Sequence, residues 1–139
     1  GAAEEAEESA RRALAIDDRL GPAHASIGRI RMVRGAPGVE VEADLSRALA
    51  LEPSYAPAWE WMGTYLLATG RAAEARTALA RAVELDPTSV TALCGAGRAA
   101  LVQGNPLEAR GLLSRARSGA PRAPAVAALE KALRDSTGW

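Results

Sequence analysis

The side chains that could carry out chemistry are few in this sequence. Its 139 residues include one histidine, His24, and one cysteine, Cys94. His24 has no second metal ligand at helical spacing, so we expect a packed, hydrogen-bonded histidine. Cys94 has only Arg98 as a nearby basic residue, although its position could expose it, and one cysteine allows neither an intramolecular disulfide nor a cysteine-rich zinc site. The sequence therefore predicts no catalytic residue, metal or cofactor, and we expect no enzyme activity.

The other candidates for chemistry are acid pairs and a glycine motif. Glu4-Glu5, Glu7-Glu8 and Asp17-Asp18 are typical of solvated helix ends. The motif GAGR at 95–98 would have to follow a strand to bind phosphate, and no strand is predicted before it. These residues therefore indicate neither a catalytic site nor a phosphate-binding site.

Charge and hydropathy exclude further classes of function. The 17 basic and 17 acidic residues give a formal net charge of zero, which argues against a dedicated nucleic-acid binder. Residues 90–139 hold seven basic and three acidic side chains, but no aromatic residues interleave with the arginines. No apolar run approaches the roughly 20 residues of a membrane span, and the acidic start lacks a secretory signal. We expect a cytoplasmic location without membrane insertion.

A repeat with a period of 34 organises the chain. Segments 58–87 and 92–121 align without a gap. The matched pairs are Trp59 with Leu93, Gly63 with Gly97, Gly70 with Gly104, Leu79 with Leu113, Ala82 with Ala116, and Pro87 with Pro121. Upstream, the spacing is 35 for His24, Gly28 and Gly35 and 34 for later positions, because one residue is inserted at 36–39.

The glycines and prolines of the repeat predict antiparallel helix pairs. Glycine inside a helix costs about 1 kcal/mol relative to alanine, so Gly63 and Gly97 indicate that a neighbouring helix approaches closely, with Ala75 and Ala109 as expected small partners. Three glycines are predicted as left-handed caps of first helices: Gly35, Gly70 and Gly104. Three prolines are predicted to end second helices: Pro53, Pro87 and Pro121.

This pattern resembles the tetratricopeptide repeat family. The resemblance implies an all-α fold, a right-handed α-solenoid of antiparallel helix pairs with about eight helices. It divides a single domain, 1–139, into a half repeat (2–20), three repeats (21–55, 56–89, 90–123), a capping helix (124–135) and a tail (136–139). The sequence departs from the family pattern at His24, Arg31, Val41, Arg117 and Gly119, and in the capping helix at Glu130 and Lys131.

The resemblance also implies a concave groove lined by first helices. The candidate groove residues are Arg29, Met32, Glu60, Trp61, Thr64, Leu67, Cys94, Arg98 and Leu101. One hypothesis is that Trp61 and the guanidinium groups of Arg29 and Arg98 capture a peptide with an apolar residue near an acidic one. The alternative is that Trp61 packs against its neighbours and both arginines are solvated. Of the positions that form a chaperone-binding carboxylate clamp in this family, only Arg29 has a suitable side chain here.

These residues favour a non-enzymatic module that binds a protein or peptide, as the scaffold part of a larger bacterial protein. One alternative is a regulatory or sensor segment of a transcription regulator, cyclase or kinase, and another is a carrier in the assembly of a secretion or cell-envelope complex. The helix over 2–18 has no first helix of its own, so Leu14 and Ile16 would be half covered and self-association through this helix is a further alternative. Trp139 is expected to be an anchor or a disordered residue on a flexible tail.

Overall fold

A computed structural model describes residues 1–137 of the chain. In this range it has eight α-helices and no strand, which confirms the all-α prediction and the predicted number of helices. The helices are α1 (Ala2–Ile16), α2 (Gly21–Val33), α3 (Gly38–Leu51), α4 (Ala56–Ala68), α5 (Ala72–Leu85), α6 (Val90–Val102), α7 (Pro106–Gly119) and α8 (Pro124–Thr137). Helix α8 ends two residues after the predicted boundary at 135, and Trp139 lies outside the described residues.

Three glycines form the tight turns that follow α2, α4 and α6. Gly35, Gly70 and Gly104 have φ angles of 73°, 81° and 78°. This left-handed conformation is strained for a residue with a Cβ atom and costs glycine little. The predicted left-handed caps are therefore confirmed at all three positions.

The chain forms two compact units, and the first contains residues 1–61. Its core is made of α2 and α3, with Val41, Leu45 and Ala48 of α3 at most 1% exposed. Gly28 lies against Leu45, so that a Cβ atom at Gly28 would be 3.0 Å from the leucine Cγ. Glycine at this position therefore allows α2 and α3 to pack closely.

In the first unit, the two polar residues that depart from the family pattern, Arg31 and His24, have specific partners. The Arg31 guanidinium donates to the Asp44 carboxylate of α3 at 2.7 Å, where the repeat would have a large apolar side chain. His24 Nε2 lies 2.8 Å from the Asp18 carbonyl oxygen, so the histidine is hydrogen-bonded as expected. An ion pair and a hydrogen bond thus take the place of apolar packing at these two positions.

Helix α1 is joined to the end of α2 by ion pairs. Arg34, the residue after α2, pairs with the carboxylates of Glu4 and Glu7 in α1. Ala10 is the buried residue of this helix, whereas the side chain of Ile16 is 89% exposed. At the end of α1, Leu14 is therefore half-buried, whereas Ile16 is open to solvent.

The second unit begins at Met62 and contains the rest of α4 and helices α5–α8. Its core residues are at most 2% exposed and include Leu79, Leu93, Leu113, Val126, Leu129 and Leu133. A Cβ atom at Gly63 would lie 2.7 Å from Leu79 Cδ2 and still closer to its Cγ. The side chain nearest to Gly63 is thus that of Leu79, a residue that the repeat pattern did not indicate.

Helix α8 packs on α6 and α7 and explains two further departures. A Cβ atom at Gly97 would lie 2.7 Å from Leu129 Cδ2, so α8 supplies the close neighbour of this glycine. Arg117 of α7 and Glu130 of α8 form a salt bridge of 3.0 Å. Lys131 pairs with Asp135 at 2.5 Å on the exposed side of α8. Charged residues therefore replace the apolar side chain and glycine that the repeat has at 130 and 131.

Candidate functional site

The second unit has a cleft of about 270 Å³ between α4, α6 and α8. From α4 and α5 it is lined by Thr64, Leu67, Ala68 and Leu79. From α6 and α8 it is lined by Thr91, Cys94, Gly95, Arg98, Ala125 and Ala128. Apart from Arg98 and two threonines, these residues are apolar or small, so the cleft suits an apolar side chain.

Helical periodicity places the α6 residues on one face. Thr91, Cys94, Gly95 and Arg98 are three, four and seven residues apart, which brings their side chains onto the same side of a helix. The start of α6 is fixed by the Ser89 hydroxyl, which accepts a hydrogen bond of 3.2 Å from the Ala92 amide. A Cβ atom at Gly95 would lie 3.1 Å from Leu79 Cδ2, so glycine leaves room for the Leu79 side chain beside α6.

Arg98 is the charged residue of the cleft. Its side chain is exposed, and in the described part of the chain its guanidinium group takes part in no ion pair or hydrogen bond. Other arginines of this unit are paired, for example Arg76 with Glu108 and Arg117 with Glu130. The guanidinium donors of Arg98 are therefore available to an acidic ligand.

Cys94 forms part of the floor of the cleft and is only 2% exposed, so the expectation that it could be exposed is wrong. Burial raises the pKa of its thiol above the ordinary value of 9.0, because the thiolate would lose its hydration. The thiol is therefore protonated at neutral pH, whereas nucleophilic catalysis requires a thiolate.

A second cleft, of about 220 Å³, lies beyond Arg98 on the same helices. It is lined by Arg98, Leu101 and Val102 of α6 and by Ala132 and Ser136 of α8. Val102 is 69% exposed, which leaves apolar surface open to solvent. Arg98 lines both clefts.

The first unit brings together three aromatic and cationic side chains. The Arg29 guanidinium lies 5.4 Å from the centroid of the Trp61 ring, within the range of a cation–π interaction. The Tyr55 ring meets Trp61 edge-on, with centroids 6.4 Å apart and an interplanar angle of 77°. Trp61 is half-buried and Arg29 is exposed, so the tryptophan packs against neighbours while the arginine covers its face.

The predicted site residues thus fall into two groups. Thr64, Leu67, Cys94, Arg98 and Leu101 line the clefts of the second unit. The first unit holds the Arg29–Trp61 pair, together with the half-buried side chains of Met32 and Glu60.

Sequence reasoning missed the residues that α8 contributes. The charged residues at 130 and 131 indicate a capping helix, so the predicted groove residues do not include Ala125, Ala128, Ala132 and Ser136. Each stands 34 positions after a lining residue of α6, namely Thr91, Cys94, Arg98 and Val102. The repeat period was the signal that would have identified them. Leu79 and Tyr55 were also missed, and their contacts depend on packing.

Metal binding and membrane insertion are two further possibilities for residues 1–137. Among these residues no group of three or more histidine, cysteine or acidic side chains is placed to hold a metal ion. None of the described helices is long and apolar enough to cross a membrane.

Comparison with known proteins identifies the fold and the family. The tetratricopeptide repeat model matches residues 42–90 and 62–124, which together cover well over half of the chain. No curated protein sequence matches the chain significantly.

Three solved structures illustrate the structural likeness. A PilF structure from Pseudomonas aeruginosa has a TM-score of 0.84 and 24% identity, covering 97% of this chain and 61% of its own. A MamA structure has a TM-score of 0.72 and 22% identity, covering 88% of this chain and 66% of its own. The TPR domain of Arabidopsis OM64 has a TM-score of 0.76 and 18% identity, and the alignment covers 84% of this chain and 95% of the OM64 chain. The chain therefore spans about two thirds of the PilF and MamA structures, and its fold is that of an α-solenoid. From the match over residues 42–124, the chain belongs to the tetratricopeptide repeat family.

Proposed function

We propose that this chain is a protein-binding module in which the cleft between α4, α6 and α8 receives a segment of a partner protein. The tetratricopeptide repeat fold is in general a protein–protein interaction module, and members of the family are generally not catalytic. The observation that carries the proposal is the cleft itself, whose largely apolar lining includes Arg98, an arginine with no ion-pair partner among the described residues.

The size and chemistry of the cleft favour a peptide segment over a cofactor. Sites for small molecules and cofactors usually enclose about 300–1,000 Å³. The cleft here measures about 270 Å³ and is open on one side, so it accommodates one or two side chains. The buried, protonated Cys94 adds no nucleophile. A ligand would thus bind this cleft through the fit of its side chains and through the exposed guanidinium of Arg98.

The expected result of filling the cleft is a loss of peptide binding. Ala128 is exposed and lines the cleft, whereas its neighbour Ala127 is exposed and does not line it. Peptides would be selected on the unmodified chain from a displayed library of random dodecamers. We expect Ala128→Trp to weaken their binding by at least about tenfold, because the indole would occupy the space of a ligand side chain. Fluorescence polarisation with the synthesised peptides measures this effect.

Ala127→Trp is the matched control, since it adds the same side chain to the same helix. Circular dichroism would establish that both variants retain the helical content of the parent. Equal binding of the selected peptides to both variants would show that the cleft is not the site. Failure of the library to yield any binding peptide would likewise count against the proposal.

Two broader roles belong to the proposal as well. Because the chain covers 61% of the PilF chain and 66% of the MamA chain, we propose that it acts as the scaffold part of a longer protein.

Self-association through α1 is supported by the 89% exposure of Ile16. If α1 mediates it, Ile16→Glu should lower the mass measured by light scattering to that of a monomer. An unchanged mass in the variant would contradict this role.

A further inference from the structure

We infer that Arg98 divides the α6–α8 surface into two apolar pockets that select an acidic residue flanked by two apolar side chains. This inference rests on the proposed function, because it specifies the ligand of the same site. Beyond that function, the inference includes the second cleft, gives Arg98 the role of dividing the two clefts, and specifies the order of the side chains in the ligand.

The two clefts form one row along a pair of helices. On α6 the lining runs from Thr91 to Val102, a distance of about 16 Å at 1.5 Å per residue. On α8 the lining runs from Ala125 to Ser136, at positions that follow those of α6 by 34. An extended chain advances about 3.3 Å per residue, so about five ligand residues span the row.

Each cleft has the size and lining for one apolar side chain. The first, of about 270 Å³, has Leu67 and Ala128 in its walls. The second, of about 220 Å³, has Leu101 and the 69% exposed Val102. Covering this apolar surface with a ligand side chain removes it from water, which favours binding. Both pockets therefore favour the binding of an aliphatic side chain.

The charge between the pockets defines the central ligand residue. Arg98 is the one charged side chain in the lining of either cleft, and it has no carboxylate partner in the described chain. A guanidinium binds a carboxylate through two parallel hydrogen bonds, which is a stronger arrangement than a neutral hydrogen bond. An acidic ligand residue at Arg98 would thus place apolar side chains two positions before and two positions after it over the two pockets.

The test uses labelled synthetic peptides with a central glutamate between two leucines. Three spacings would be compared: Leu-Glu-Leu, Leu-Ala-Glu-Ala-Leu, and Leu-Ala-Ala-Glu-Ala-Ala-Leu. Matched peptides replace the glutamate with glutamine or either leucine with serine. Binding would be measured by fluorescence polarisation on the full chain at low and high salt. We expect the middle spacing to bind best, because it matches the length of the row.

Loss of the central charge should weaken binding about tenfold, both for the glutamine peptide and for Arg98→Gln. The two changes together should cost little more than either alone, because they remove the same interaction. Arg115→Gln is the matched control, since Arg115 is an exposed arginine outside both clefts. High salt should reduce the preference for glutamate over glutamine.

Blocking each pocket separately tests the division. Ala128→Trp fills the first pocket and Ser136→Trp the second, and both residues are exposed. Each variant should abolish the advantage of one leucine over serine and leave that of the other leucine intact. The inference is overturned if glutamate and glutamine peptides bind equally, if only one leucine contributes, or if no peptide binds at about 1 mM. If Ala128→Trp still weakens the binding of library-selected peptides, the proposed function stands although this inference has failed. The failure of the inference and the failure of the proposed function are therefore distinguishable.

Discussion

Gly63→Ala is expected to lower the free energy of unfolding by about 1–3 kcal/mol, although alanine is the better helix former by about 1 kcal/mol. The new Cβ atom would lie 2.7 Å from Leu79 Cδ2 and closer still to its Cγ. Leu79 is fully buried, and its Cγ lies too near the backbone to move without displacing α5. Urea denaturation followed by circular dichroism measures the change.

Two other glycines provide a graded comparison. Gly97→Ala would meet the terminal Cδ2 of Leu129 at 2.7 Å, which a rotation of that side chain can relieve, so a smaller loss is expected. Gly111 lies in α7 with no atom within 4 Å of an added Cβ. Gly111→Ala should therefore stabilise the chain by about 0.5–1 kcal/mol through helix propensity alone. A stabilising effect of Gly63→Ala would refute the close packing of α4 on α5.

Leu129→Ala should have the second large effect and lower the free energy of unfolding by about 2–5 kcal/mol. Leu129 is fully buried in the cluster that joins α8 to α6 and α7. The substitution removes apolar contacts and leaves a cavity that the surrounding helices fill only in part. Because neighbours in a repeat array stabilise one another locally, amide hydrogen exchange in α8 should accelerate more than exchange in α5.

The same substitution should also weaken ligand binding, because α8 contributes Ala125 and Ala128 to the cleft. Leu107→Ala is the matched control, since Leu107 is 80% exposed and its truncation is expected to change stability by no more than about 0.5 kcal/mol. If hydrogen exchange in α8 were equal in Leu129→Ala and the parent, Leu129 would not be the residue that holds this helix in place.

The candidate site was predictable wherever the repeat carried the information. The first-helix positions Thr64, Leu67 and Arg98 follow from the period of 34 and the resemblance to the family, and the structure brings them into one cleft. The same period would have located Ala125 and Ala128, had α8 been treated as another first helix. Its charged residues at 130 and 131 suggested a cap, but they lie away from the face that lines the cleft.

Accessibility and pairing of side chains were not predictable in the same way. Cys94 and Arg98 are both on the cleft-lining face of α6, yet the thiol is buried and the guanidinium is exposed. Arg31 and Arg29 are two residues apart, but Arg31 pairs with Asp44 and Arg29 lies over Trp61. These outcomes depend on side chains from other helices, which periodicity along one helix does not identify.

The sequence by itself determined the helices and the turns between them. Glycine at 35, 70 and 104 fixes left-handed turns, because the backbone preference of a residue is a local property. Tertiary structure decided which side chains meet: Leu79 lies nearest to Gly63, and Arg98 has no acidic partner among residues 1–137. The physical reason is that these contacts join residues far apart in sequence, so their distances are set by how whole helices pack.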